Sequence, residues 1–253
     1  MHSTLTDILE GSVTRNALDY IAVALDVPDL VSARPLISML GGKVGWFKVG
    51  LQLFSAEGPD AVKAVVDSGS RAFVDLKLHD IPNTVKGAVK SLSRSGASLI
   101  TIHASGGRKM IEAAVSQAKE AGTGMKVVAV TALTSLDDAA VAEVGWSGGS
   151  AGTVERLLNL AISAGADGCV MSPVECAAAR AMAPVGFFIV TPGIRAPGDA
   201  MGDQARTASP AEAVLSGSSL LVIGRPITGA PDPARKATEI AADIEAGLLR
   251  QNR

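Results

Sequence analysis

Apolar residues in this chain fall in short runs separated by longer amphipathic stretches. Eight of the runs suit buried strands: "YIAVALDV" (20–27), "VGWFKVG" (44–50), "RAFVDLKL" (71–78), "SLITIHA" (98–104), "KVVAVTAL" (126–133), "DGCVMS" (167–172), "GFFIVTP" (186–192) and "SLLVIG" (219–224). Between them, segments such as "EGPDAVKAVVDSG" and "GGRKMIEAAVSQAKEAG" repeat apolar positions every three or four residues and end in glycine, which predicts helices. Strand and helix alternating eight times over about 250 residues predict an α/β fold, a (β/α)8 TIM barrel. A doubly wound open sheet is the rival, but eight near-even repeats without a break favour closure. No linker or low-complexity segment divides the chain, so one domain over 1–253 is expected, with its core at about 18–248 and the final "QNR" frayed.

Active sites of such barrels lie at the C-terminal ends of the strands. The first strand ends in Asp26 and the second carries Lys48. The third carries Asp75 and Lys77, followed by His79 and Asp80. The fourth ends at His103 before "ASGG", the fifth near Thr134, the seventh in "TPGIR" and the eighth in Gly224-Arg225. Charge therefore gathers at one end of the predicted barrel.

Composition narrows the classes of function. Of 253 residues, 47% are hydrophobic and 19% charged, which suits a globular chain with a sizeable core. A net charge of −2 offers no broad basic surface for nucleic acid. No apolar run approaches the ~18–20 residues of a membrane span, and "MHSTLTDILEGS" lacks the basic-then-apolar pattern of a secretory signal. Cys169 and Cys176 make neither a disulfide framework nor, without clustered histidines, a zinc site. A reduced, cytoplasmic protein is expected.

The third strand holds the densest chemistry. Side chains on a strand alternate faces, so Asp75 and Lys77 share one face while Leu76 and Leu78 share the other. The leucines can pack against helices, and the charged pair then points into the barrel. Ala22, Ala24 and Asp26 form a same-face set, as do Trp46, Lys48 and Gly50. Taken alone, Asp75 and Lys77 fit a structural ion pair equally well. Several ionised groups at one barrel mouth are a costly way to build a core, however, at several kcal/mol per buried ion. Carboxylates beside each lysine favour its charged form. That disfavours a Schiff-base lysine, which needs a depressed pKa. It favours proton delivery to carbon, or stabilisation of a developing anion. By parity His79 points away from Lys77 and reads as a supporting or interface group. His103 fits a site-lining or a structural role equally.

Gly224 and Arg225 follow the last strand, where barrels often hold phosphate on backbone N–H groups with help from a cation. The stretch "TPGIRAPGDAMGDQARTASP" after the seventh strand is long and rich in Gly and Pro, as lids and binding loops are. Arg195, Gln204 and Arg206 are its polar tips, to be weighed against an ordinary solvated loop. Neither a Walker phosphate loop nor a dinucleotide fingerprint is present.

These motifs resemble a known family. "DLKLHDIPNTV" is similar to the Asp-x-Lys-x-x-Asp-Ile-Pro-x-Thr signature of the orotidine 5′-phosphate decarboxylases. "ALDV", "FKVG", "TIHASGG", "TALTS", "TPGIR", "DQAR" and "IGRPIT" also match, in the family's order, across roughly residues 18–248. The resemblance implies a homodimeric barrel that converts orotidine 5′-monophosphate to UMP and CO2 in the last step of de novo UMP synthesis, without metal or organic cofactor. It implies that Lys48, Asp75, Lys77 and Asp80 form the family's charged tetrad. Lys77 would protonate C6, Asp75 would sit by the departing carboxylate, and Asp80 would reach the partner subunit's site. Lys48 and Asp80 would hold the array and touch the ribose hydroxyls. It implies further that Asp26 binds a ribose hydroxyl and that Ile81 and Thr84 reach across the dimer. Thr134 would contact the pyrimidine beside Pro192, Gln204 would bridge base and phosphate, and Arg195, Gly224 and Arg225 would grip the phosphate.

Two other functions compete. Phosphate-sugar decarboxylases or aldolases on the same barrel share Asp-x-Lys-x-x-Asp, but they use Mg²⁺ and usually place a small residue after the second Asp, where this chain has Ile81. A non-catalytic sensor of phosphate ligands would not need Lys77 between two carboxylates.

Overall fold

The computed structural model describes residues 15–195 and 207–251. Eight parallel strands close into a barrel in sequential order: β1 (Ile21–Ala24), β2 (Trp46–Gly50), β3 (Arg71–Leu78), β4 (Leu99–His103), β5 (Lys126–Val130), β6 (Gly168–Val170), β7 (Phe188–Thr191) and β8 (Leu220–Ile223). The closing contact pairs Ile21, Ala22 and Val23 with Leu221, Val222 and Ile223. The closed (β/α)8 barrel is thus the architecture the alternation predicts, and the open-sheet rival is excluded.

The strands are near-continuous apolar runs because parallel strands covered by helices are buried on both faces. Two cores result. Inside the barrel lie Ala22, Trp46, Phe73, Leu99, Val128, Phe188, Val190 and Leu220. Residues of the opposite parity, such as Val23, Phe47, Val74, Ile100 and Ile189, pack outward with the helices. Leu76 and Leu78 lean on this outer layer, as parity predicts.

Helix ends follow local chemistry. Asp29 caps the helix Leu30–Leu40 by accepting the Ser32 N–H at 2.8 Å. Pro82 opens the helix Pro82–Arg94 at a first-turn position where no N–H is needed. The predicted helical stretch "EGPDAVKAVVDSG" contains the helix Pro59–Asp67, and Gly58, at φ 58°, separates it from a further helix, Leu51–Glu57.

Several strands are shorter than their apolar runs. β1, β5 and β6 stop at Ala24, Val130 and Val170. Beyond those points the chain leaves the ladder. Asp26, Ala132, Leu133 and Thr134 splay into the wall of a cavity instead. Cys169 and Cys176 are buried free thiols, and burial pushes the Cys176 thiol up to about 11. Among the described residues no helix is long and apolar enough to cross a membrane.

Candidate active site

A cavity of about 340 Å³ opens at the C-terminal ends of the strands. Its floor is the top of the barrel core, Phe73 and Val190, with Val130, Val170 and Val222 around it. Ala24, Asp26, Lys48, Asp75, Lys77, Thr134, Pro192, Arg195, Gly224 and Arg225 complete the wall. Strand parity explains the grouping. Ala22 and Phe73 lie in the interior core, and Ala24 and Asp75 stand one step above them on the same face.

The charges are arranged as a chain. Lys48 Nζ lies 3.1 Å from Asp26 Oδ1 and 3.7 Å from Asp75 Oδ2. Lys77 Nζ donates to Asp75 Oδ1 at 2.9 Å. Gly50 makes this crowding possible, since a Cβ there would stand 2.8 Å from Lys48 Nζ. Burial pushes the Asp75 carboxyl up, but Lys48, Lys77 and a hydrogen bond from Thr101 together outweigh it and hold its pKa below the ordinary carboxylate value. Asp75 is therefore an anion enclosed between two ammonium groups, with a solvent-exposed Asp26 at the outer end.

Of the residues singled out from sequence, nine line this cavity: Asp26, Lys48, Asp75, Lys77, Thr134, Pro192, Arg195, Gly224 and Arg225. Asp80, Ile81 and Thr84 do not. They lie between β3 and the following helix or in its first turn, exposed in the protomer, with Ile81 67% exposed. Gln204 and Arg206 lie outside the described residues. A larger cavity of about 450 Å³ adjoins the first beyond Arg195 and Arg225, with Asp232, Arg235, Lys236 and Glu239 on its walls. The enclosed Asp75 carboxylate with its two flanking ammonium groups lies in the smaller one.

Two residues, Thr228 and Thr101, and the pairing of His79 with His103 were not read from the sequence. Thr228 lines the cavity one helical turn after Arg225. Thr101 donates to Asp75; its strand parity with His103 was the available signal. His79 and His103 come together, ring centroids 5.3 Å apart, although they sit on different elements.

The histidine pair has a consequence for stability. Burial, then His79 and Lys77, lower the His103 pKa against the opposing pull of Asp75. The unfolded chain therefore binds a proton near pH 6.5 that the folded chain does not. Stability is expected to be full above that value and to fall as the pH drops below it. Urea unfolding at pH 7.5 and 5.5 should show this loss, and it should shrink in His103→Asn. An equal loss in both proteins would remove His103 as its source.

Comparison with known proteins follows the same lines. Residues 19–240 match the family described as "Orotidine 5'-phosphate decarboxylase / HUMPS family". A protein of Anaeromyxobacter sp. (strain K) named orotidine 5′-phosphate decarboxylase is 52% identical over 224 residues, covering 88% of this chain and 97% of that one. A protein of the same name from Moorella thermoacetica is 47% identical over 243 residues, covering 94% and 96%. The crystal structure of orotidine 5′-phosphate decarboxylase from Lactobacillus acidophilus superposes with a TM-score of 0.78 at 35% identity, covering 88% of this chain and 98% of that one.

Proposed function

The chain belongs to the orotidine 5′-phosphate decarboxylase / HUMPS family, and from that premise we propose that it decarboxylates orotidine 5′-monophosphate to UMP and CO2, a step of pyrimidine biosynthesis, with Lys77 as the proton donor and no metal or organic cofactor. The observation that carries this reading is the Lys77 ammonium, held 2.9 Å from an ionised Asp75 at the floor end of a cavity that also presents Arg195 and Arg225.

The chemistry follows from that layout. The C6–carboxylate bond breaks, CO2 leaves, and the bonding electron pair stays at C6. Lys77 transfers its proton to that carbon and recovers one from solvent. An ammonium beside the developing carbanion stabilises it before the transfer is complete, in a site where preset charge needs little reorganisation. Asp75 holds Lys77 in place and sits beside the departing carboxylate. The apolar patch formed by Val130, Val170 and Val190 suits neutral CO2 better than the carboxylate it replaces. Lys48 and Asp26 are assigned to the ribose hydroxyls and Thr134 and Pro192 to the base, which their place in the cavity wall supports. Arg195, Gly224 and Arg225 are assigned to the phosphate, and Gln204, outside the described residues, is assigned to base and phosphate by the family resemblance alone. Binding energy from this remote end can order the charged end.

The protein works as one barrel domain and as a homodimer in the cytoplasm, with Asp80, Ile81 and Thr84 serving the partner's site. Their exposure in the protomer supports that assignment.

Purified protein mixed with orotidine 5′-monophosphate and EDTA is expected to lose substrate ultraviolet absorbance at the same rate as without EDTA. No turnover by folded protein sinks the reading. Turnover that requires added Mg²⁺ points to the phosphate-sugar relatives instead.

A further inference from the structure

We propose that Thr101 is a positioning residue for this site: its one hydroxyl holds both the Asp75 carboxylate and the backbone of Lys77. The proposal rests on the reading of Lys77 and Asp75 given above, and it begins from the register of β3 against β4. Val74 pairs with Ile100 and Leu78 pairs with Ile102. Three residues of β3, Asp75, Leu76 and Lys77, therefore stand opposite a single residue of β4, Thr101. The extra residues form a bulge of the kind that re-aims side chains beside active sites. Within it Lys77 takes φ 50°, a left-handed conformation uncommon for any residue but glycine.

A bulge interrupts the ladder, so a backbone N–H loses its regular acceptor. The Lys77 N–H finds Thr101 Oγ1 at 2.8 Å instead. The same hydroxyl donates its proton to Asp75 Oδ1 at 3.0 Å. Asp75 Oδ1 in turn accepts from Lys77 Nζ at 2.9 Å. The three contacts close a ring that runs from the Thr101 hydroxyl through the Asp75 carboxylate and the Lys77 ammonium to the Lys77 amide and back. With its donor and an acceptor lone pair both engaged, the hydroxyl has no free rotor. Thr101 is 1% exposed, so water cannot take its place in the folded protein. It does not line the cavity among the described residues. Its influence on chemistry therefore runs through Asp75 and Lys77.

Thr101→Val keeps the shape and removes the hydroxyl, leaving the Lys77 amide unsatisfied and Asp75 short of one donor. Turnover is expected to fall about 10- to 100-fold, the scale of one hydrogen bond to a charged group, with KM changed less than about threefold. Thr101→Ser is expected to restore most of the turnover. Two readouts do not depend on turnover. The Asp75 carboxylate pKa, followed by ¹³C NMR, should rise in Thr101→Val and return in Thr101→Ser. Hydrogen exchange at the Lys77 amide should quicken in the valine variant alone. Thr101→Ala serves if the valine variant does not fold. Unchanged kcat in the valine or alanine variant, a loss confined to KM, or no recovery with serine overturns the proposal. Inactive wild-type protein overturns the decarboxylase reading instead, and the two NMR readouts then still decide whether Thr101 holds the pair.

Discussion

Replacing Lys77 by alanine is expected to lower turnover of orotidine 5′-monophosphate by at least about 10³-fold, within the range expected for loss of a positioned proton donor, while the protein still folds. The barrel should tolerate the change for three reasons. Lys77 packs into no core cluster and its side chain is 29% exposed. Alanine carries the same Cβ into the positive-φ conformation, so backbone strain at 77 is unchanged. Asp75 keeps Lys48 at 3.7 Å and the Thr101 hydroxyl at 3.0 Å, so the buried anion is not left bare. On the proposed mechanism, the variant loses the ammonium that neutralises charge at C6 and supplies its proton. Circular dichroism and thermal unfolding establish that the variant is folded. Single-turnover rates then measure the loss, and near-normal turnover in a folded variant removes Lys77 from the donor role.

Asp80→Ala is expected to be almost as damaging, although among the described residues Asp80 does not line the cavity of its own protomer. The residue is exposed, its carboxylate accepting only the neighbouring Ile81 N–H at 2.6 Å among the described hydrogen bonds. The strand-to-helix connection and the first turn of the following helix carry Asp80, an exposed isoleucine and Thr84, the residues proposed above to serve the partner's site. If Asp80 completes the partner's site, Lys77→Ala and Asp80→Ala subunits should complement. Random pairing of equal amounts makes half the dimers mixed, each with one intact site of two, so activity should recover to about one quarter of wild type. Native mass spectrometry would confirm subunit exchange. Confirmed exchange without recovery would falsify a shared site and return Asp80 to the protomer's own surface.

Much of this molecule is legible in the chain because the relevant physics is local. The two-residue alternation of strands places Asp75 and Lys77 on one face and Leu76 and Leu78 on the other, and neighbouring residues alone decide that. The switch from strand-like to helical spacing, repeated eight times, gives the barrel. The rule that chemistry gathers at strand ends selects Asp26, Lys48 and Gly224-Arg225 with no knowledge of distances. Strand parity with His103 was too weak a signal to single out Thr101. An apolar-flanked threonine inside "SLITIHA" looks like ordinary strand, and its importance appears only when β3 slips against β4. Nor could the sequence alone pair His79 with His103. Parity assigned His79 a direction as if the strand continued, whereas β3 ends at Leu78 and the chain turns toward the helix that starts at Pro82.

By itself, then, the sequence determined the order of elements, the faces of the strands and the types of charged group at one barrel mouth. Only the tertiary structure decided the contacts: Lys48 between Asp26 and Asp75, Thr101 bridging Asp75 and Lys77, and the apolar floor beneath them. Periodicity is written in residues two to four apart. Register and enclosure arise when strands some 20 to 30 residues apart pair and the last strand closes on the first, and one inserted bulge is enough to change which groups meet.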